Sequence, residues 1–289
     1  MSLADAPLDR RRGHRGAGEG EPPAVTPPPE PGSDARPGWT LPGPAESFFT
    51  EMGRFFLVLW RTLTWTPRSP YDWRELLRQM VRVGVASIPV IALTALFTGA
   101  VMALQTFTTL RRFHAESFVG SLVALSMVRE LSSVLGGLVL AGRSGSAMAA
   151  ELGTMRVTEQ IDALKVMATE PMHYLVVPRV WATTLMLPML VMMGNALGIF
   201  GGYLVAVVLM DSNPVAYIDN TFQFMDLKDL YSGLIKAAVF GLLIAVIGCQ
   251  KGFYTTGGAE GVGRSTTSAV VTASIAILVA DFFLTKILF

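Results

Sequence analysis

The chain has 289 residues, of which 51% are hydrophobic and only 16% charged, with a formal net charge of +1. A soluble domain carries about 25% charged residues. Here the deficit falls in uncharged runs longer than the ~20 residues that cross a bilayer as a helix, which excludes a wholly water-soluble protein. The near-neutral charge leaves no nucleic-acid footprint. A lone cysteine, Cys249, excludes an intrachain disulfide and, in its apolar run, reads as a packing residue. Three scattered histidines (His14, His114, His173), without an H-x-x-x-H or C-x-x-C pair, offer no metal site.

Residues 1–44 hold ten of the 17 prolines, with Arg10, Arg11 and Arg12 among glycines and mixed charges. This composition buries too little apolar surface to offset its ordering entropy, and it has no apolar signal core, so a disordered cytoplasmic tail is expected. The membrane domain is expected over 45–289. Phe48, Phe49, Met52, Phe55, Phe56 and Leu59 then mark one helical stripe, with Glu51, Arg54 and Arg61 off it. This predicts a helix lying in the membrane interface, or one packed on protein. Trp65, Tyr71 and Trp73 supply interfacial aromatics. Ser69-Pro70 has the form of an N-cap and first residue, and Arg74, Arg78 and Arg82 a basic helix edge.

Five spans follow. The first lies between Arg82 and Arg111, and the second between Glu116 and Arg143 with Arg129-Glu130 near its middle. The third, between Arg179 and Asp211, steps through Gly194, Gly198 and Gly202, a spacing that permits close helix contact. The fourth runs from about Tyr231 to Gln250, with Lys236 close enough to its end to snorkel, and the fifth from about Ser268 to Leu288 with Asp281 inside it. The fold class expected is all-α and integral to the membrane. An N-terminal cytoplasmic side gathers Arg54, Arg61, Arg68, Arg74, Arg78, Arg82, Arg143, Arg156, Lys165, Arg179, Lys251 and Arg264. It leaves Arg111, Arg112, Lys228 and Lys286 outside, with the C-terminus.

Four stretches bear on chemistry. Gly258–Ser265 has the outline of a phosphate-binding loop, but Arg264 replaces its lysine and the segment joins two spans, so a flexible turn is expected and any ATPase belongs to another chain. Gly142-Arg143-Ser144-Gly145 matches the G-x-S-G of an intramembrane serine protease. No histidine in a later span could serve Ser144 as base, and its small residues suit close packing. Arg129-Glu130 must face protein, water or a polar ligand, because a charge at the bilayer centre costs at least ~2.5–3.5 kcal/mol. A structural ion pair with other helices, a headgroup site, and a proton relay through Glu130 are all compatible with it, and Asp281 is one available partner. Finally, a helix over Met155–Met167 would place Met155, Thr158, Ile161, Leu164 and Ala168 on one face. Arg156 would then pair with Glu159 or Gln160, with Asp162 exposed, as suits docking into a partner's cleft.

In its motifs the chain resembles the MlaE/YrbE family, permeases of ABC lipid transporters that work with MCE-domain proteins. The resemblance spans roughly Phe48 to Phe289. It is densest in Val123–Leu131 (VALSMVREL), Ala141–Ala147 (AGRSGSA), Ala150–Gly153 (AELG), Met155–Gln160 (MRVTEQ) and Pro178–Ala182 (PRVWA). It implies an inner-membrane permease homodimer without a catalytic site or cofactor of its own, cytoplasmic ATPase subunits that bind ATP and Mg, a periplasmic MCE-domain protein, and a phospholipid ligand. It also implies a lipid pocket at the dimer interface containing Arg129 and Glu130, walled by Met102, Leu110, Phe113 and Leu131. The coupling element would be Glu151 to Met167, with Glu151, Met155, Arg156, Thr158, Glu159, Gln160 and Asp162 facing the ATPase. The long tail departs from the family pattern.

Overall fold

The apolar runs fold as helices because a chain in hydrocarbon must satisfy its backbone internally. The computed structural model describes residues 43–66 and 73–288, and every regular element among them is helical. Residues 1–42 of the expected tail, Ser69-Pro70 and Tyr71 lie outside the described residues, while Gly43 and Pro44 begin the first helix. Helix α1 (Gly43–Trp65) exposes Phe49, Met52, Phe56 and Trp60, buries Val58 and Thr62, and packs Phe55 and Leu59 of the expected stripe against the protein core. Gln250 Nε2 donates to the Glu51 carbonyl (2.9 Å), Trp181 Nε1 donates to Thr66 Oγ1 (3.0 Å), and the Arg54 guanidinium lies 4.8 Å from the Tyr254 ring centre.

Helix α2 (Trp73–Val83) passes through a short turn into α3 (Ile88–Leu110), making the first span. The second span is one helical rod, α4 (Val119–Ser126), α5 (Ser132–Leu140) and α6 (Ser146–Val157), interrupted by π turns at Met127–Leu131 and Ala141–Gly145. A short α7 (Gln160–Val166) leads to the third span, α8 (Val177–Tyr203). Helix α9 (Pro214–Gln223) follows, with Asn213 Oδ1 accepting from the Val215 amide at its N-terminus. Helices α10 (Leu227–Phe253) and α11 (Gly258–Leu288) complete the five runs long and apolar enough to cross a membrane.

The central post is α10, whose most apolar window is 56% buried; that of α11 is only 17% buried, so α11 borders the bundle. Leu140, Leu152, Leu187, Phe240, Ile244 and Ile277 form the larger core. A second cluster at the opposite end joins Phe107, Val119, Val123, Met127 and Tyr217. Cys249 is fully buried, in keeping with a packing role. The third-span glycines act as expected. A methyl group on Gly99 would sit 1.9 Å from the Gly198 carbonyl oxygen, so α3 and α8 touch backbone to backbone there.

Two expectations change. Gly258–Ser265 is not a flexible turn: only Gly257 and Gly258 take left-handed backbone angles, and α11 starts at Gly258 and carries the rest. Nor is Met155–Met167 one helix. The second span continues to Val157, and Glu159 turns left-handed (φ 59°) before α7 begins.

Candidate functional site: an ionic cluster within the bundle

The first π turn carries Arg129 and Glu130 into the interior of the second span. Helix α10 approaches this turn closely because Gly233 has no side chain; a Cβ there would lie 2.3 Å from the Val128 carbonyl oxygen. One turn further along α10, Lys236 therefore meets Glu130. Its Nζ donates to Glu130 Oε2 (2.6 Å), Thr285 Oγ1 (2.7 Å) and the Arg129 carbonyl (3.3 Å), and forms an ion pair with Asp281 Oδ1 at 3.2 Å. Thr285 Oγ1 lies 3.2 Å from Glu130 Oε1 and 2.8 Å from the Asp281 carbonyl, and has one proton to give. On the other side Arg129 Nε donates to Asp229 Oδ1 (2.8 Å), and Asp229 also caps the start of α10.

Lys236 is fully buried, so it does not snorkel. Its ammonium turns inward because two carboxylates and a hydroxyl meet it there, a better exchange than crossing ~13 Å of helix to the end of the span. Asp281 pairs with this lysine and not with Arg129. Arg129 and Glu130 are thus held by different partners, Arg129 by Asp229 of α10 and Glu130 by Lys236 of α10 and Thr285 of α11. The side chains of Arg129 and Glu130 nevertheless remain 41% and 36% exposed, so the cluster opens on one face of the chain.

Leu131, Met102 and Leu110 are each partly buried and pack against the second core cluster. Phe113 is 75% exposed in the turn after α3. Residues that carry the site but were not anticipated for it are Lys236, Asp229 and Thr285. Lys236 and Asp281 on two different apolar spans, with Glu130 on a third, were the available signal.

The other end of the second span is differently built. Arg156 pairs with Asp162 (2.7 Å), not with Glu159 or Gln160, because the break at Thr158–Glu159 folds α7 back. Hydrogen bonds from Lys165 and then Arg156 hold the Asp162 carboxyl below the usual carboxylate range. Ile161 is buried, and Met155 and Leu164 pack against the same core, so this apolar edge is already used within the chain. Thr158 falls off that face and is exposed, with Glu159 and Gln160. Val166 (88% exposed) and Met167 (65%) are the apolar side chains this turn presents outward. Glu151 bridges Arg82 (2.9 Å) and the buried Arg179 (3.0 Å) and so binds the first and third spans together. Ser144, the other candidate, is buried and makes no hydrogen bond among the described residues.

These features define a polytopic α-helical membrane domain with an ionic cluster opening from its interior and a short polar helix at one end. Residues 76–287 match the family model described as Permease MlaE. A probable ABC transporter permease protein of Rickettsia typhi is 46% identical over 242 residues, covering 84% of this chain and 93% of the relative. The intermembrane phospholipid transport system permease protein MlaE of Haemophilus influenzae is 38% identical over 245 residues (84% and 93%). The chloroplastic protein trigalactosyldiacylglycerol 1 of Arabidopsis thaliana is 42% identical over 222 residues (77% and 63%). The chain belongs to the MlaE permease family.

Proposed function

We propose that this chain is the membrane subunit of an ABC transporter that moves phospholipid between a bacterial inner membrane and an MCE-domain partner. Separate ATPase subunits, which bind ATP and Mg, would drive it, and two copies of the chain would enclose the lipid path. The observation that carries this reading is the open ionic cluster. Charges this far inside a span are costly against hydrocarbon, so the exposed sides of Arg129 and Glu130 call for a polar occupant or a water-filled cavity closed by a second copy. A phospholipid fits the setting, since Arg129 can meet a phosphate while Leu131, Met102 and Leu110 offer apolar surface beside it. The name of the Haemophilus relative supports the same cargo.

The end carrying α7 also carries Arg54, Arg82, Arg143, Arg156, Lys165, Arg179, Lys251 and Arg264, which supports placing it in the cytoplasm and the C-terminus in the periplasm. The ATPase would then grip the exposed face of α7, not its apolar edge.

A photocrosslinker at Leu131 should capture phospholipid from membranes. Clean failure with normal expression would reduce the cluster to a structural ion network. At the other end, Glu159→Lys with Val166→Glu should lower co-purification of the ATPase about tenfold, as for a ~1.4 kcal/mol loss, while the permease stays monodisperse. Unchanged co-purification would count against α7 as the contact.

A further inference from the structure

The Gly142-Arg143-Ser144-Gly145 turn serves neither the cluster nor α7, yet it borders a small pocket between α2 and the second span. Gln79, Arg82, Arg143, Ser144 and Glu151 line one part of the pocket and the apolar Val83, Ala147 and Met148 the rest; it holds about 90 Å³, well above the ~10–15 Å³ that one water needs. Ser144 is 6% exposed. A serine inside a helix ordinarily turns its hydroxyl onto its own backbone, as Ser146 does onto the Gly142 and Arg143 carbonyls. Ser144 does not, and its hydroxyl stays unpartnered at the pocket wall. Arg143 uses only Nη1, donating to the buried Ser87 hydroxyl (2.8 Å), and Arg82 uses only Nη1, donating to Glu151 (2.9 Å). Each guanidinium has five donor hydrogens, so most remain to be used.

Electrostatics favour an anion there. Glu151 spends both carboxylate oxygens on Arg82 and Arg179, and Glu75, the next acid along α2, is held by Arg78 and Gln79. Arg82, Arg143 and Arg179 against Glu151 leave two positive charges beside the pocket. Its depth is set by α2, which exposes Trp73, Leu77 and Val81 on one side and Arg78 on another, the pattern of a helix at the headgroup boundary. Basic pockets between helices at that level bind phosphate-bearing headgroups.

We infer that Arg82, Arg143 and Ser144 form a second, peripheral site for a phosphate group, that of an anionic phospholipid in the adjoining leaflet or of a soluble anion. The site is separate from the Arg129–Glu130 cluster and does not depend on the transported cargo. Because Glu151 links Arg82 to the third span, the occupant braces the first three spans at the end where α7 leaves the bundle.

The test is thermal unfolding of the purified full-length chain in neutral detergent, titrated with phosphatidylglycerol, diacylglycerol or inorganic phosphate. Phosphatidylglycerol should raise the midpoint, as any ligand selective for the folded state does. The half-saturating lipid concentration should rise about tenfold or more in Arg143→Gln/Ser144→Ala, the loss expected for removing charge-assisted hydrogen bonds. Ala147→Phe, which fills the pocket and keeps both arginines, should do the same and decides the matter if the double variant misfolds. A response to inorganic phosphate alone assigns the site to a soluble anion, whereas none assigns it to the headgroup. Equal stabilisation by diacylglycerol, no response to either phosphate source, or wild-type phosphatidylglycerol binding by the pocket variants would overturn the inference. None of these outcomes bears on crosslinking from Leu131, which reports the interior site separately.

Discussion

Replacing Lys236 with methionine should destabilise the permease by about 3–5 kcal/mol, the range for removing one partner from a buried ion pair. Glu130 and Asp281, both only partly exposed, would then lose the ammonium they share. For a domain of this size the unfolding midpoint should fall by about 10 °C. The companion variant separates charge from packing: Lys236→Met with Glu130→Gln and Asp281→Asn removes the stranded carboxylates and should recover most of the loss. A single variant as stable as wild type would mean that the lysine does not hold the cluster. A triple variant no better than the single would place the loss in packing.

The second large effect concerns shape alone. Gly99→Val should cost upwards of about 3 kcal/mol, beyond the usual range for an overpacked side chain. The new Cβ would meet the Gly198 carbonyl oxygen at 1.9 Å and its Cα at 2.8 Å, and backbone cannot rotate out of the way as a side chain can. Helices α3 and α8 would have to separate. The variant should still insert, since valine is apolar, but elute as aggregate or melt well below wild type. Gly53→Ala is the matched control. Its Cβ would meet nothing within 4 Å, and in the middle of α1 it should gain about 0.5–1 kcal/mol from helix propensity. Equal behaviour of the two variants would refute the close contact.

What sequence could reveal here divides along physical lines. Hydropathy places the five spans because the bilayer imposes a length and an apolar composition that each run shows on its own. Arg129 and Glu130 stand out for the same reason, as charges where charges are expensive. Their partners were harder to read. Lys236 lies near enough to the start of α10 that its position reads as that of a snorkelling side chain. Only the close approach at Gly233, a tertiary fact, turns it inward. The break before α7 had no local signal, since Thr158 and Glu159 are neither glycine nor proline, and Glu159 takes a left-handed angle that side chains seldom adopt. Arg156 could not be assigned to Asp162 without it. Phe113 shares the apolar character of Leu110 and Met102, but it stands in the short helical turn that ends the first span and is largely exposed there.

The two π turns in the second span have a consequence for how the span is counted. Each accommodates one residue more than an α turn, and one residue is ~100° of rotation. Between the cluster and Glu151 the rod is therefore out of phase with a helix drawn at constant pitch, and side chains that a helical wheel would place together point apart. Length in residues and length in ångströms are decoupled along it. A relative that lacks either turn would align with a single-residue gap inside a membrane helix, where gaps are otherwise hard to accommodate. Such a gap would mark a change in the direction the span's lower half faces, with no change in its composition.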